Sequence, residues 1–250
     1  MRGKAVFNAD SLDLFKVCER NCTCFSEAEK MTKATYNLQF PSGSVHLVAA
    51  PSGAGKTTRV AKYLALKNEL FERGEETSAI IFFYNIWQPE YGKLQERVLV
   101  SEFVKGFPTN EQFLDKVKEH RRSIVILDDA LQFISKELIQ IATVSARHSN
   151  ATTFILLQSL FPAHPLARQL SLNARYFHVL KNPRDNTSLS HLARQISPNN
   201  YKFIIDAYHE ATKEPYSCFI IDLNQQTPDE LRYRSNILIE EFPMVAYIPK

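Results

Sequence analysis

The stretch Ala50-Pro51-Ser52-Gly53-Ala54-Gly55-Lys56-Thr57 decides the fold of this chain. It follows the apolar run 45–49, which has the composition of a buried strand, and precedes a helix predicted over residues 58 to about 71. A strand, a glycine-containing turn and a helix in this order are typical of a phosphate-binding P-loop. Gly53 and Gly55 can adopt the backbone angles that let main-chain N–H groups surround phosphate oxygens. The sequence therefore predicts a nucleotide site at residues 50–58.

Two side chains of the loop and the helix after it have separate predicted roles. Lys56 is expected to reach the β- and γ-phosphates of ATP, and the hydroxyl of Thr57 is expected to bind Mg²⁺. The helix that continues through Thr58 directs its positive end at the same phosphates. The first loop position holds Ala50 where glycine is usual, a mild change because the tightest turn comes later. A glycine-containing turn in an unrelated fold is the alternative, and the flanking strand and helix disfavour it.

A second motif, Ile124-Val125-Ile126-Leu127-Asp128-Asp129, ends a predicted strand with two carboxylates. Ligands of open α/β sheets bind at the carboxyl ends of strands, so Asp128 is expected beside the P-loop. Asp128 is predicted to orient Mg²⁺ through water, because this cation prefers oxygen ligands and keeps part of its hydration. Asp129 is predicted to polarise the water that attacks the γ-phosphate. Two solvated acids that open a turn are the alternative.

The next predicted strand, 152–158, ends in Gln158. In RecA-like P-loop ATPases this strand lies between the P-loop strand and the acid-bearing strand. Gln158 would then lie between Lys56 and Asp129, where it could sense the γ-phosphate or hold the attacking water. The alternative is a glutamine that caps a turn.

The charge that develops on the γ-phosphate also requires a cation, which a neighbouring subunit is expected to supply. Arg147 is the preferred candidate because it follows the helix after the acid pair. Arg168, Arg175 and Arg184 are its rivals, and for each of the four the alternative is a solvated surface arginine.

Composition sets broad limits on the molecule. The chain has 250 residues, 44% of them hydrophobic and 23% charged, with a net charge of +3. We expect one P-loop ATPase domain over residues 41–250, preceded by a cysteine-containing extension over residues 1–40 with a short helix near 11–19 and no strand. The chain has no apolar run long enough to span a membrane and no apolar signal-peptide core. The mild positive charge neither requires nor opposes a nucleic-acid partner.

The four cysteines fall into two groups. Cys18, Cys22 and Cys24 form a cluster that we interpret as reduced thiols rather than half of a zinc site, because a second ligand pair is missing from the sequence nearby. Cys218 lies in an apolar run and is expected in the core.

Strands alternate with helices along the rest of the chain, which predicts an α/β fold with a central, mostly parallel sheet flanked by helices. Further strands are expected at 77–84, 99–103, 123–129, 174–180 and 217–223, with another possible strand at 235–240. A further helix is expected to follow the turn at 85–91 and to end at about residue 98. Others are expected at 109–122, 135–147, 162–172, 187–195 and 200–211.

Three further features allow more limited interpretations. Trp87 and Tyr91 are expected to pack at the end of the second strand of the domain, and stacking on a nucleic-acid base is the alternative. His46 is expected to be a core histidine with its hydrogen bonds satisfied. The basic run 116–122 could line a path for nucleic acid, and a solvated helix face explains it equally well.

Taken together, several stretches resemble the genome-packaging ATPases of the FtsK–HerA superfamily. The resemblance is to the branch found in large double-stranded DNA viruses, adintoviruses and Polinton (Maverick) elements, and it covers roughly residues 40–235. The P-loop and the paired acids are shared by many ATPases, whereas the Arg-His-x-Asn and Asn-Pro-Arg-Asp segments are more specific. The matching stretches are LVAAPSGAGKTT, YNIWQPEY, IVILDDAL, SARHSNATTFILLQSLFP, NARYFHVLKNPRDNTSLSHLARQISP and EATKEPYSCFIIDL.

This resemblance implies a ring-shaped homo-oligomer, a pentamer or hexamer, that translocates double-stranded DNA into a preformed capsid by ATP hydrolysis. It implies Arg147 as a finger acting in trans, and capsid portal or vertex proteins as partners. It also implies an intracellular location at viral assembly sites in the host nucleus or cytoplasm, or association with the virion. Two alternatives stay open: a P-loop nucleotide kinase, and a DNA-associated subunit that binds ATP without motor activity.

Overall fold

The computed structural model describes residues 3–7, 37–160 and 164–249. In chain order, strands β1 to β10 of this described part are Gly3–Phe7, Val45–Ala49, Ala79–Tyr84, Glu102–Lys105, Ser123–Leu127, Ala151–Leu157, Tyr176–Leu180, Cys218–Asp222, Tyr233–Ser235 and Met244–Ile248. Helices α1 to α9 are Lys56–Ala65, Lys67–Leu70, Pro89–Arg97, Asn110–Val117, Lys136–Gln140, Ala146–His148, Ala167–Asn173, Asn186–Ile196 and Tyr201–Ala211. The π-helical turn Ile141–Ser145 joins α5 to α6.

All of these strands belong to one sheet in the order β1-β10-β9-β8-β7-β2-β6-β5-β3-β4. The six strands from β7 to β4 pair in parallel, and the four strands on the other side pair antiparallel. Strand β6 lies between β2 and β5, which is the insertion expected of RecA-like ATPases. The predicted α/β fold with a central, mostly parallel sheet is therefore confirmed.

The parallel strands are continuous apolar runs because helices cover both faces of the sheet. Every residue of β2, β5, β6 and β7 is buried. Side chains alternate between the faces, so that Leu47 packs into one core cluster and Val48 into the other. Parallel strands end at the same side of the sheet, and we call this side, where β2, β5, β6 and β7 end, the carboxyl edge.

Two expectations about the ends of the chain were wrong. No strand was expected before residue 41, yet β1 pairs along its whole length with β10. The strand expected at 235–240 ends instead at Ser235, because Asn236 adopts a left-handed backbone with φ of 58°. The last strand forms later, at β10. The division of the chain at residue 40 stays a prediction, and the helix near 11–19 and the cluster of Cys18, Cys22 and Cys24 lie outside the described residues.

Other element boundaries shift by a few residues. The edge strand expected at 99–103 is β4, which begins opposite Ile81 of β3. The helix expected at 109–122 ends at Val117, and the helix expected at 162–172 is described from Ala167. Within the described ranges, no helix combines the length and the apolar character needed to cross a lipid bilayer.

Candidate functional site

The P-loop joins the end of β2 to the start of α1. The amide of Ala50 donates a 3.2 Å hydrogen bond to the carbonyl of Leu157, which fastens the loop to the end of β6. Gly53 and Gly55 adopt left-handed conformations with φ of 76° and 89°, and Gly55 caps α1. These are the positions at which the loop requires glycine, because side chains disfavour such angles. Ala50, which stands where glycine is usual, is buried and does not adopt a left-handed conformation.

Lys56 folds back over the loop that precedes it. Its Nζ donates hydrogen bonds to the carbonyls of Ala50 at 2.8 Å and Pro51 at 3.1 Å. Burial lowers the pKa of Lys56, while the nearby carboxylates of Asp128 and Asp129 oppose that shift. The lysine and both predicted acids therefore lie at one place on the carboxyl edge.

Asp128 lies at the end of β5 and is the centre of a small polar cluster. The hydroxyl of Thr57 donates a 3.0 Å hydrogen bond to Asp128 Oδ2, and the hydroxyl of Tyr91 donates a 2.9 Å bond to the same oxygen. Burial raises the pKa of Asp128, whereas the bonds from Tyr91 and Thr57 and the charge of Lys56 oppose this. The two predicted metal ligands are thus neighbours, and their oxygen atoms suit Mg²⁺.

Asp129 turns away from Asp128 and faces β6. Its φ of 56° is left-handed, an uncommon conformation for a residue with a side chain. Nε2 of Gln158 donates a 3.0 Å hydrogen bond to Asp129 Oδ1. Strained backbone of this kind is often retained where function requires it. The acid pair therefore divides into one carboxylate on Thr57 and one on Gln158.

These side chains surround a single cleft of about 360 Å³. Nine of the predicted site residues line it: Ser52, Gly53, Gly55, Lys56, Thr57, Thr58, Asp128, Asp129 and Gln158. Ala50, Pro51 and Ala54 belong to the same loop. The cleft is also lined by Gln88 and Glu90, which were not predicted as site residues. Their place before and within the first turn of α3, after a strand that ends at the carboxyl edge, was the available indication.

Tyr91 is the more important omission. The predicted packing is confirmed, since its ring lies 5.5 Å from that of Trp87 and also contacts Tyr84. The hydroxyl contact with Asp128 was missed. Only the order of β3 and β5 in the sheet brings the start of α3 over the acid pair.

Arg147 does not reach the cleft of its own chain. It is exposed, and a Cβ placed on Gly43 would lie only 2.9 Å from Arg147 Cα. Gly43 precedes β2, so Arg147 lies at the amino end of the strand whose carboxyl end carries the P-loop. This position does not place Arg147 at the nucleotide cleft of its own chain, and its predicted role in trans stays a prediction.

The three rival arginines occupy different places. Arg175 lies at the amino end of β7, where its amide bonds the carbonyl of Val45. Arg168 is exposed on α7. Arg184 follows β7 and is exposed on the side of the sheet that holds the P-loop.

The basic run 116–122 is largely engaged in ion pairs within the chain. These pairs do not make the run a helix face, as one interpretation expected, because α4 ends at Val117 and most of the run lies beyond the helix. The pairs are Lys116 with Glu102, Lys118 with Asp115, and both Arg121 and Arg122 with Glu76.

His46 is a buried core histidine, as predicted. One ring nitrogen lies 2.8 Å from the hydroxyl of Ser44 and the other 3.0 Å from Nε2 of His178. Cys218 is also buried, as expected.

Structure comparison identifies the architecture. The chain aligns with the genome-packaging NTPase B204 from Sulfolobus turreted icosahedral virus 2 in complex with sulfate, at a TM-score of 0.52 and 15% identity, over 74% of this chain and 93% of B204. B204 of Sulfolobus turreted icosahedral virus, a DNA-packaging ATPase, gives a TM-score of 0.52 and 15% identity over 74% and 95% of the two chains. The AMPPCP complex of the first protein aligns with a TM-score of 0.52 and 14% identity, over 74% of this chain and 95% of B204.

The chain has the fold of viral genome-packaging ATPases. The resemblance inferred from sequence is confirmed at the level of the fold, and the branch of adintoviruses and Polinton elements stays a prediction. The sequence matches no protein-family model, and a search of curated proteins gives no match.

Proposed function

We propose that this chain is an ATPase that drives double-stranded DNA into a viral capsid. One observation carries the proposal: the P-loop, the Thr57–Asp128 contact and the Asp129–Gln158 contact meet in a single cleft. The cleft lies at the carboxyl edge of a fold shared with viral packaging ATPases, one of which has been solved both with sulfate and with the ATP analogue AMPPCP. Lysine, hydroxyl, two carboxylates and an amide are the groups that triphosphate hydrolysis requires.

The loop and α1 bind the triphosphate. Main-chain N–H groups between Gly53 and Thr58 and the positive end of α1 surround phosphate oxygens. The Nζ of Lys56 exchanges its carbonyl partners for the β- and γ-phosphates. Thr57 and Asp128 would hold Mg²⁺, which neutralises phosphate charge when bound.

Asp129 and Gln158 act on water. The carboxylate of Asp129 accepts a proton from the attacking water. The side-chain amide of Gln158 holds that carboxylate through its hydrogen bond and also positions the water. Asp128 accepts hydrogen bonds from Thr57 and Tyr91, so it is not the base that activates water, and this role is left to Asp129. A positioned general base of this kind contributes about 10²- to 10⁴-fold to the rate.

A ring of subunits completes the site. Arg147 lies far from its own cleft and is exposed, which supports contact with the nucleotide of a neighbouring subunit. A ring that moves DNA also needs a capsid portal or vertex protein to dock on, and it would act where virions assemble, in the host nucleus or cytoplasm. The ring is expected to bind the phosphate backbone of DNA electrostatically, so its binding should weaken as salt increases.

The alternatives receive less support. The inserted strand β6 and the acid–glutamine contact at its end belong to hydrolytic P-loop proteins rather than to nucleotide kinases. A subunit that only binds ATP would have no use for Asp129 and Gln158 in hydrogen-bond contact.

The test is the steady-state rate of ATP hydrolysis by the full chain, measured against protein concentration and against added duplex DNA. The rate per subunit should rise with both, and the DNA effect should weaken as salt increases. The Lys56→Ala variant should be inactive throughout. A wild-type rate that is indifferent to DNA and to protein concentration contradicts the motor, while the absence of hydrolysis under all conditions contradicts the ATPase.

A further inference from the structure

The order of strands shows which way a bound nucleotide must point. The acids and Gln158, which would meet the γ-phosphate, end β5 and β6 on one side of the P-loop strand β2. Strands β7 and β8 lie on the other side of β2. A triphosphate held over Gly55 and Lys56 with its γ end toward the acids therefore carries its ribose and base toward β7 and β8.

Tyr216 is the aromatic side chain at that place. It precedes β8, and because β8 runs antiparallel to β7, with Cys218 opposite Leu180, the start of β8 lies at the carboxyl edge. The ring contacts the P-loop directly: a Cβ placed on Gly55 would lie 3.1 Å from Tyr216 Cδ1. Even so, Tyr216 is 66% exposed. A large aromatic side chain is thus presented to solvent against the phosphate loop.

The backbone at Tyr216 is held in an unfavourable conformation. Its φ of 64° is left-handed, which is a genuine outlier for a bulky residue. The buried Arg59 of α1 donates a 2.7 Å hydrogen bond to the carbonyl of Tyr216, and Arg59 is itself paired with Glu241 at 2.6 Å. The helix that begins at the P-loop therefore fixes the residue that faces the loop. Conformations of this kind are unfavourable and persist where the surrounding structure imposes them.

We propose that Tyr216 is the platform on which the base of the bound nucleotide stacks. The inference rests on the proposed nucleotide site and adds the part of it that recognises the base. A cavity of about 680 Å³ opens beside the ring, and its lining combines Lys62, Ser217 and Asn236 with four glutamates, Glu210, Glu214, Glu240 and Glu241. It offers room for a ribose and for the hydrogen-bonding edge of a base. Stacking favours the larger face of a purine, so the ligand class is a purine nucleoside triphosphate.

The test compares two ligands that share the phosphates and differ in the base: ATP and inorganic tripolyphosphate, each titrated calorimetrically with Mg²⁺. Tyr216→Ala should weaken ATP binding about 10- to 100-fold, since base–aromatic stacking contributes on that scale, and should leave tripolyphosphate binding unchanged. Tyr216→Phe should bind both ligands as the wild type does. ATP affinity unchanged in Tyr216→Ala, or an equal loss for both ligands, would overturn the proposal.

Controls separate this inference from the proposed function. Lys56→Ala should lose both ligands, whereas a wild type that binds neither ligand would overturn the nucleotide site and the platform together. A wild type that binds ATP and tripolyphosphate equally well would keep the P-loop site and overturn only the platform. Tyr216→Trp in a Trp87→Phe background gives a second measurement that does not depend on an alanine variant. Its fluorescence should change with ATP and not with tripolyphosphate, and the reverse pattern would also overturn stacking.

Discussion

At the scale of single residues, the hydroxyl of Tyr91 is one of the two side-chain donors that hold the carboxylate of Asp128. Burial and the neighbouring Asp128 raise the pKa of Tyr91, so the hydroxyl stays protonated and donates to that carboxylate. Asp128 is 3% exposed, and a buried charge that loses a donor is destabilised.

Tyr91→Phe should therefore lower the free energy of unfolding by about 1.5–3 kcal/mol, the range for hydrogen bonds to charged groups. It should also raise the KM for Mg·ATP, because Asp128 is held less firmly. Urea unfolding and steady-state kinetics measure these effects. Tyr201→Phe is the matched control, since its ring keeps the contact with Arg194. An unfolding free energy equal to that of the wild type would contradict a stabilising hydrogen bond from Tyr91 to Asp128.

The residues that could be predicted at this scale are those whose roles follow from local order. Lys56 and Thr57 are set by the loop, and Asp128 and Asp129 by the end of a strand. Tyr91 and Tyr216 could not be assigned in this way, because each meets the site from a distant part of the chain. Tyr216 contacts Gly55 only after β8 has folded back against β7.

At the scale of elements, β2 and β7 carry two fully buried histidines beneath the P-loop. Burial lowers the pKa of His178 to about 3, with help from the charges of Arg59 and Arg234. Burial, and then His178, lower the pKa of His46 well below 6.5. Both histidines are therefore neutral in the folded protein and gain a proton near pH 6.5 only on unfolding.

This linkage predicts a stability that is complete above about pH 6.5 and is lost as pH falls toward about 3. The slope reaches about 1.4 kcal/mol per pH unit for each histidine. Urea unfolding between pH 7 and pH 5 measures it. In the His178→Gln variant the slope due to the two histidines should fall by about half. Equal slopes in His178→Gln and the wild type contradict neutral buried rings.

Helices and strands were predicted well where the apolar residues form a continuous run. They were predicted poorly where pairing with a distant strand determines whether a segment is a strand. The insertion of β6 between β2 and β5 followed from the class of loop and acid pair. The apolar residues Ile237 and Leu238 suggested a strand, yet they are buried without strand pairing because Asn236 turns the chain. The strand β1 depends on its distant partner β10, which no local pattern identifies.

At the scale of the whole molecule, Arg147 lies at the opposite end of β2 from the P-loop. A subunit that uses Arg147 must therefore use it on a neighbour. Asp129→Asn and Arg147→Ala should each abolish hydrolysis and keep ATP binding.

Mixed in equal amounts, these two variants should regain about a quarter of the wild-type rate, because about one interface in four then pairs an intact acid with an intact arginine. Arg168→Ala, which changes another exposed arginine, is the control. This variant should hydrolyse ATP by itself and should therefore need no second variant to restore activity. A mixture that stays inactive while both variants remain folded and assembled contradicts a finger in trans.

The central claim is that the turn at Lys56 and the acids at 128–129 enclose one magnesium-bound triphosphate, and titration of ATP with and without Mg²⁺ tests it most directly. The wild type should bind one ATP per chain, at least about tenfold more tightly with Mg²⁺ than with chelator, since a bound metal adds affinity by linkage. Asp128→Asn should lose this dependence, while the distant Asp229→Asn should keep it. A wild type that binds no ATP, or an Asp128→Asn variant with the full Mg²⁺ dependence, contradicts the claim.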